Sequence, residues 1–149
     1  QSSIEQLNID CRVMSSIAID AVCEKYIKRK AERHLEKGRI IILAAGTGNP
    51  YFTTDSAASL RAIELNAQIM LKGTKVDGIY DKDPAKYSDA VLYKSISYSD
   101  ILKKNLEVMD ATAVVMCKEN SMPLKVFNIL KKGNLKKAIL SDKIGTKIG

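Results

Sequence analysis

A chain of 149 residues can bury an ordinary core, and a content of 46% hydrophobic and 28% charged residues excludes a disordered or low-complexity protein. The net charge of +7 and a pI near 9.3 predict anionic partners, without separating nucleic acid from phosphorylated metabolites. No apolar run is long enough for a membrane span, Gln1 opens no secretory leader, and three scattered cysteines with one histidine make neither a disulfide framework nor a metal cage, so a reducing cytoplasm is expected.

In chain order, "CRVMSSI" (11–17) predicts a short strand. Ala18, Val22, Tyr26, Ile27, Ala31 and Leu35 recur at helical intervals and predict a helix over 18–37, ended by Gly38. The basic run at 25–39 also carries Glu32 and Glu36 and reads as a solvated helix face. Tyr26 is its only aromatic, too few for a base-stacking surface, so nucleic acid is not the expected partner. "RIIILAA" (39–45) is continuously apolar and predicts a strand covered on both faces. A loop follows, then a helix over 55–66 and a strand over 67–73. A second loop fills 73–84, helices are expected over 98–104 and 110–120, and "PLKVFNI" (123–129) reads as a strand. A short helix at 134–140 and a final edge strand at 145–149 complete the chain. Helix, strand, loop, helix, strand with short connections predicts an α/β fold. The sheet should be open, mostly parallel and sandwiched by helices, in one domain spanning 1–149.

In such folds ligands sit outside the C-terminal ends of strands, where both loops fall. The first, "AAGTGNPYFTTD", is not a Walker A loop, since no Gly-Lys-Ser/Thr follows. Nor is it a dinucleotide fingerprint, because Tyr51 stands where the last glycine would be. Gly46 and Gly48 let backbone N–H groups approach an anion, Asn49, Thr53 and Thr54 add hydrogen bonds, and a helix N-terminus follows. A tight turn capped by Thr54 or Asp55 is the plainer alternative, but it needs neither the Gly-x-Gly nor so many polar side chains. The second loop sets Lys75, Asp77, Asp81 and Asp83 around Gly78, with Lys72 and Thr74 at its entrance. Lys75 can meet phosphate, Tyr80 offers a flat face to a base, and Asp83 can accept ribose hydroxyls. A solvated hairpin fits the same residues.

Taken together, "AAGTGNPYFTTDSAA" and "LKGTKVDGIYDKDP" resemble the two signature segments of the bacterial uridylate kinases, within the amino-acid kinase superfamily. "YSDILKKNLEVMDATAVVMCKENSMPLKVFNI" resembles that family's closing region, and order and spacing agree from about Ile4 to the end. The resemblance implies transfer of phosphate from ATP to UMP, with Mg²⁺ held mainly by the phosphates and no protein cage of its own. Carried over, Thr47, Gly48, Asn49, Pro50, Tyr51, Phe52, Thr53 and Thr54 would line the UMP site, with Asn49 and Thr54 as side-chain contacts. Thr74, Tyr80 and Asp83 would hold ATP. Asp55 would orient groups at the reaction centre and Lys75 would meet charge on the transferring phosphoryl group. Asp110 falls where many superfamily members carry a catalytic lysine. Such chemistry asks a protein for positioning and cationic stabilisation, and needs no covalent nucleophile.

The family's opening segments, a strand with Lys and a Ser-Gly turn followed by a glycine-rich loop, are not found in this sequence. The chain is thus expected to match roughly the C-terminal three-fifths of a family member and to be weakly active alone. The resemblance also implies a homo-oligomer, a hexamer in the family. Two other readings are another amino-acid kinase acting on an acid or carbamate, and a non-catalytic nucleotide- or nucleic-acid-binding module. The "GTGNPYFTTD" loop argues against the first, and the basic balance motivates the second.

Overall fold

The computed structural model describes all residues from Gln1 to Gly149, and the chain divides into two compact units, Gln1–Leu65 and Asn66–Gly149. Each is a sheet with helices, mostly parallel, in keeping with the α/β expectation.

The first unit contains α1 (Ser2–Glu5), β1 (Cys11–Ser15), β2 (Glu24–Lys25), α2 (Lys28–Glu36), β3 (Ile40–Ala44) and α3 (Thr54–Glu64). Its three strands are parallel in the order β2-β1-β3. Central β1 buries Cys11, Met14 and Ser15, while α2 contributes Ala31 and α3 contributes Ser56, Ala57 and Ser59. Apart from Met14 these side chains are small, and positions this enclosed leave little room for a larger residue. Pairing of Cys11 with Ile40 through Ser15 with Ala44 ends β1 and β3 at one level. The segments leaving those strands therefore start side by side.

Two expectations fail here. The helix predicted over 18–37 begins only at Lys28. Tertiary pairing overrides the helical spacing: Met14 and Ser15 of β1 pair with Glu24 and Lys25, and the Tyr26 N–H donates to the Ser15 carbonyl at 2.8 Å. Val22, assigned to the helix's apolar face, is exposed. The isoleucine strand is also less covered than predicted. Its residues are half-buried or, at Ile40, exposed, because β3 has β1 on one side and is last in this sheet.

The second unit contains β4 (Met70–Thr74), β5 (Ser95–Ile96), α4 (Tyr98–Lys103), α5 (Ala111–Glu119), β6 (Leu124–Asn128), α6 (Asn134–Leu140) and β7 (Thr146–Ile148). The sheet order is β4-β6-β7-β5, with only the β6–β7 pair antiparallel. All five residues of β6 are buried, Lys125 included. Its ammonium is satisfied at the end of α6, donating to the Ala138 and Ser141 carbonyls at 2.9 Å and to Asp142 at 3.1 Å. The last strand is not the edge strand expected from the sequence. The two-residue β5, too short to leave a pattern, pairs along its outer side and encloses it.

Candidate functional site

The first loop leaves β3 after Ala44 and enters α3 at Thr54. Its shape comes from backbone conformation. Ala45, Gly46, Gly48 and Tyr51 all have left-handed φ values, +63°, +58°, +76° and +68°. Glycine adopts this region freely, whereas Ala45 and Tyr51 are held there at some cost by their surroundings. The Gly48 N–H donates to the Ala45 carbonyl at 2.9 Å, and the Asn49 N–H to Thr47 Oγ1 at 3.1 Å. A Cβ on Gly48 would come within 3.0 Å of the Ser16 carbonyl oxygen, so the backbone of β1's exit lies directly beneath.

Helix α3 is capped by Thr53, whose Oγ1 accepts from the Asp55 and Ser56 N–H groups at 3.1 and 3.2 Å. The plainer alternative drawn from the sequence placed the cap at Thr54 or Asp55, one or two residues too late. Asp55 lies in the helix's first turn, where a carboxylate is favoured by the N-terminal partial charge. Thr54 is exposed beside it, as are Asn49, Pro50, Tyr51 and Phe52. The eight loop positions from Thr47 to Thr54 and Asp55 thus form one continuous, largely solvent-facing strand-to-helix turn.

Beneath the loop lies a polar cluster that the sequence did not reveal. Ser16 Oγ donates to the Gly46 carbonyl at 2.7 Å and accepts from Arg61 Nη2 at 3.0 Å. The Arg61 guanidinium is stacked 3.7 Å from the Tyr26 ring centroid and is paired with Glu64 at 2.6 Å. Tyr26 donates its hydroxyl to the same Glu64 carboxylate at 2.8 Å. Burial, and next the bond to Glu64, push the Tyr26 hydroxyl up to about 12, so it stays a donor. For Glu64, burial opposes ionisation, but the hydrogen bonds from Arg61 and Tyr26 outweigh it and hold the carboxyl below its usual range. The i,i+3 spacing of Arg61 and Glu64 was the one available sequence signal.

The second loop builds a cleft of about 600 Å³ within its own unit. Thr74, Tyr80 and Asp83, the three residues expected to hold ATP, all line it. Leu106, Val108 and Val126 supply apolar wall, and Lys82, Lys86 and Lys104 stand there among Asp81, Asp83 and Glu107. A cleft with one aromatic ring, apolar sides and both signs of charge suits a flat ligand with polar groups. Thr74 donates to the Val76 carbonyl at 2.8 Å, shaping the exit from β4. Asp83 Oδ1 accepts from the Ala85 N–H at 2.9 Å, which makes it a turn cap as well as a candidate contact. Lys75 is exposed and does not line the cleft; its carbonyl accepts from Asn128 at 3.1 Å. Asp110 caps α5, accepting from the Ala113 N–H at 3.0 Å.

Two of the four Lys and Arg residues of α2 are paired within the helix, Lys28 with Glu32 at 3.3 Å and Arg33 with Glu36 at 3.9 Å. No group of three or more His, Cys, Asp or Glu side chains gathers as a metal cage, and no helix is long and apolar enough to cross a membrane.

Comparisons with known proteins show what the chain is similar to. The amino acid kinase family pattern matches residues 1–128. The chain is 56% identical over 146 residues to the uridylate kinase of Dichelobacter nodosus, covering 98% of this chain and 61% of that protein. The solved UMP kinase of Ureaplasma parvum superposes with a TM-score of 0.93 at 38% identity, over 99% of this chain and 63% of that one. That of Bacillus anthracis gives 0.92 at 36% identity, over 95% and 59%. The chain therefore spans about three-fifths of the length of these relatives. With its family pattern, its sequence relatives and its fold in agreement, the chain belongs to the amino acid kinase family.

Proposed function

We propose that the protein is a UMP kinase portion that takes UMP on the 47–54 loop and ATP in the cleft after β4, and transfers the γ-phosphate to give UDP. The observation that carries this reading is the first loop: a Gly-x-Gly turn feeding a capped helix N-terminus, in a chain 56% identical to a uridylate kinase. Backbone N–H groups, Asn49 and Thr54 would position the acceptor, and Thr74, Tyr80 and Asp83 the donor. Asp55, at the start of α3, would orient groups at the reaction centre, and Lys75 would meet charge developing on the phosphoryl oxygens. Mg²⁺ would supply further neutralisation of phosphate charge. An ion that keeps several waters and takes most ligands from phosphates needs only a carboxylate or two from protein, and Asp55 fits that demand.

Residues 1–149 would act together as one nucleotide-binding portion of the fold. The three free cysteines suit a cytoplasmic setting, and the family resemblance supports a homo-oligomer. Lys28 and Arg33 of α2 are paired with their own glutamates, which leaves less of its charge for the nucleic-acid alternative.

Titration calorimetry with UMP, CMP, AMP and ATP, alongside ADP release, tests the proposal. UMP and ATP should each bind, with CMP and AMP weaker on the acceptor loop, and turnover should be low because the chain spans only part of its relatives. Salt-sensitive binding of single-stranded DNA without any mononucleotide response would favour the nucleic-acid module instead.

A further inference from the structure

We propose that Arg61 is a positioning residue for the acceptor loop, acting through Ser16 on the Gly46 carbonyl. The inference rests on the reading that this loop takes UMP, and concerns a residue outside the loop. Arginine can only donate, so Ser16 Oγ must accept from it at 3.0 Å. That leaves the hydroxyl's single hydrogen for the Gly46 carbonyl at 2.7 Å. Direction is thereby fixed along the whole relay, and each bond polarises the next. Ser16 also meets the second glycine, its carbonyl lying 3.0 Å from where a Gly48 Cβ would be. One residue therefore touches both glycines of the turn.

The turn needs such a brace. Four of its seven residues from Ala45 to Tyr51 are left-handed, and two of those are not glycine. Its other internal bonds, between Ala45 and Gly48 and between Thr47 and Asn49, are local and give the turn no anchor outside itself. The Ser16 contacts tie it to the sheet at the end of β1. Arg61 is in turn immobilised on two sides, by the Tyr26 ring at 3.7 Å and by Glu64 at 2.6 Å. A planar, stacked, paired guanidinium loses little freedom when it donates once more, which lysine cannot match.

Arg61→Ala, Arg61→Lys, Ser16→Ala and Tyr26→Phe in the full chain test the relay by calorimetry with UMP and ATP, and by amide hydrogen exchange. Arg61→Ala should raise the UMP Kd about tenfold and leave the ATP Kd unchanged, the scale of one hydrogen bond to a charged group. Exchange at the Gly48 and Asn49 amides should quicken by about the same factor, since both report local opening of the turn. Arg61→Lys should recover less than half of the loss, and Tyr26→Phe, which keeps the ring under Arg61, should by itself change UMP affinity little. Because Arg61 acts through Ser16, adding Arg61→Ala to Ser16→Ala should cost little more. Unchanged UMP affinity and loop exchange in Arg61→Ala would overturn the proposal. So would equal losses for UMP and ATP, or full additivity with Ser16→Ala. If Arg61→Ala does not fold, Ser16→Ala and Arg61→Lys carry the same two readouts. If the unsubstituted chain does not bind UMP, the functional reading fails, while loop exchange still decides whether the relay exists.

Discussion

The loop after β3 and the excursion after β4 leave equivalent places, the C-terminal ends of parallel strands, yet they are held by different means. The first is short and made by backbone: left-handed residues, a Thr53 cap, and one hydroxyl from β1's exit. The second runs on to β5 and is pinned by side chains at distant points. Thr146 on β7 accepts from the Ile79 N–H at 2.9 Å and donates to the Tyr93 carbonyl at 2.5 Å. Asp81 accepts from the Val91 N–H at 2.8 Å, closing the pairing of Tyr80 with Leu92. A backbone-built turn offers N–H groups at fixed points and suits one small anion. A long segment pinned at intervals can instead wall a cleft.

Substitutions can break that contrast, and the largest effect is expected at the helix start following the first loop. Asp55→Asn should lower residual turnover about 100-fold, near 2.7 kcal/mol in the barrier, with UMP affinity changed less than threefold. Steady-state ADP release and calorimetry separate the two. An affinity loss matching the turnover loss would make Asp55 a binding residue instead.

Next comes the fully buried Thr146. Thr146→Val keeps the shape but strands the Ile79 N–H and the Tyr93 carbonyl, at a cost of about 2 kcal/mol by chemical denaturation. The same change should weaken ATP binding and leave UMP binding alone, because it loosens only the cleft's segment. A variant equally impaired for both ligands would contradict the separate means of support.

A smaller effect, about three- to tenfold in UMP affinity with turnover intact, is expected for Asn49→Ala, the scale of one neutral hydrogen bond. Loss of turnover without loss of affinity would exchange the roles given to Asn49 and Asp55.

This difference in support also decided what could be read from the sequence. Gly46, Gly48, Thr53 and Asp55 announce a strand-to-helix turn because the residues that make it are adjacent. The strands at β1, β3, β4 and β6 and the helices α3 to α6 were legible for the same reason, as each carries its period within a few residues. What escaped depends on separation. Ser16 and Arg61 lie 45 residues apart, Ile79 and Thr146 67, and a lone serine or threonine advertises no partner at such range. The false helix over 18–27 has the same origin. Its spacing was helical, but β1 supplied better partners for the backbone of Glu24 and Lys25. Lysines 82, 86 and 104 reach the cleft from separate turns, so their convergence left no motif.

The weakest pin of the second loop gives the finest test. Asp77 accepts from Lys131 at 2.8 Å and from Asn128 at 3.2 Å. The Lys131 bond holds its carboxyl below the usual range, against the opposing pull of burial, with help from Asn128. A depressed carboxyl stabilises the fold above its ordinary value of 3.8, and that contribution drains away as pH falls through the lower folded value. Acid therefore removes it. Both partners are substantially exposed, Asp77 at 40% and Lys131 at 58%, so solvent screens the pair to a few tenths up to about 1 kcal/mol. Asp77→Asn should lower stability by that amount at pH 7 and flatten the pH dependence below about 4, where the two proteins converge. Raising salt at pH 7 should narrow the same gap, since screening removes what the substitution removes. A gap that persists at pH 2, or that ignores salt, would mean that Asp77 holds the loop by shape and not by charge.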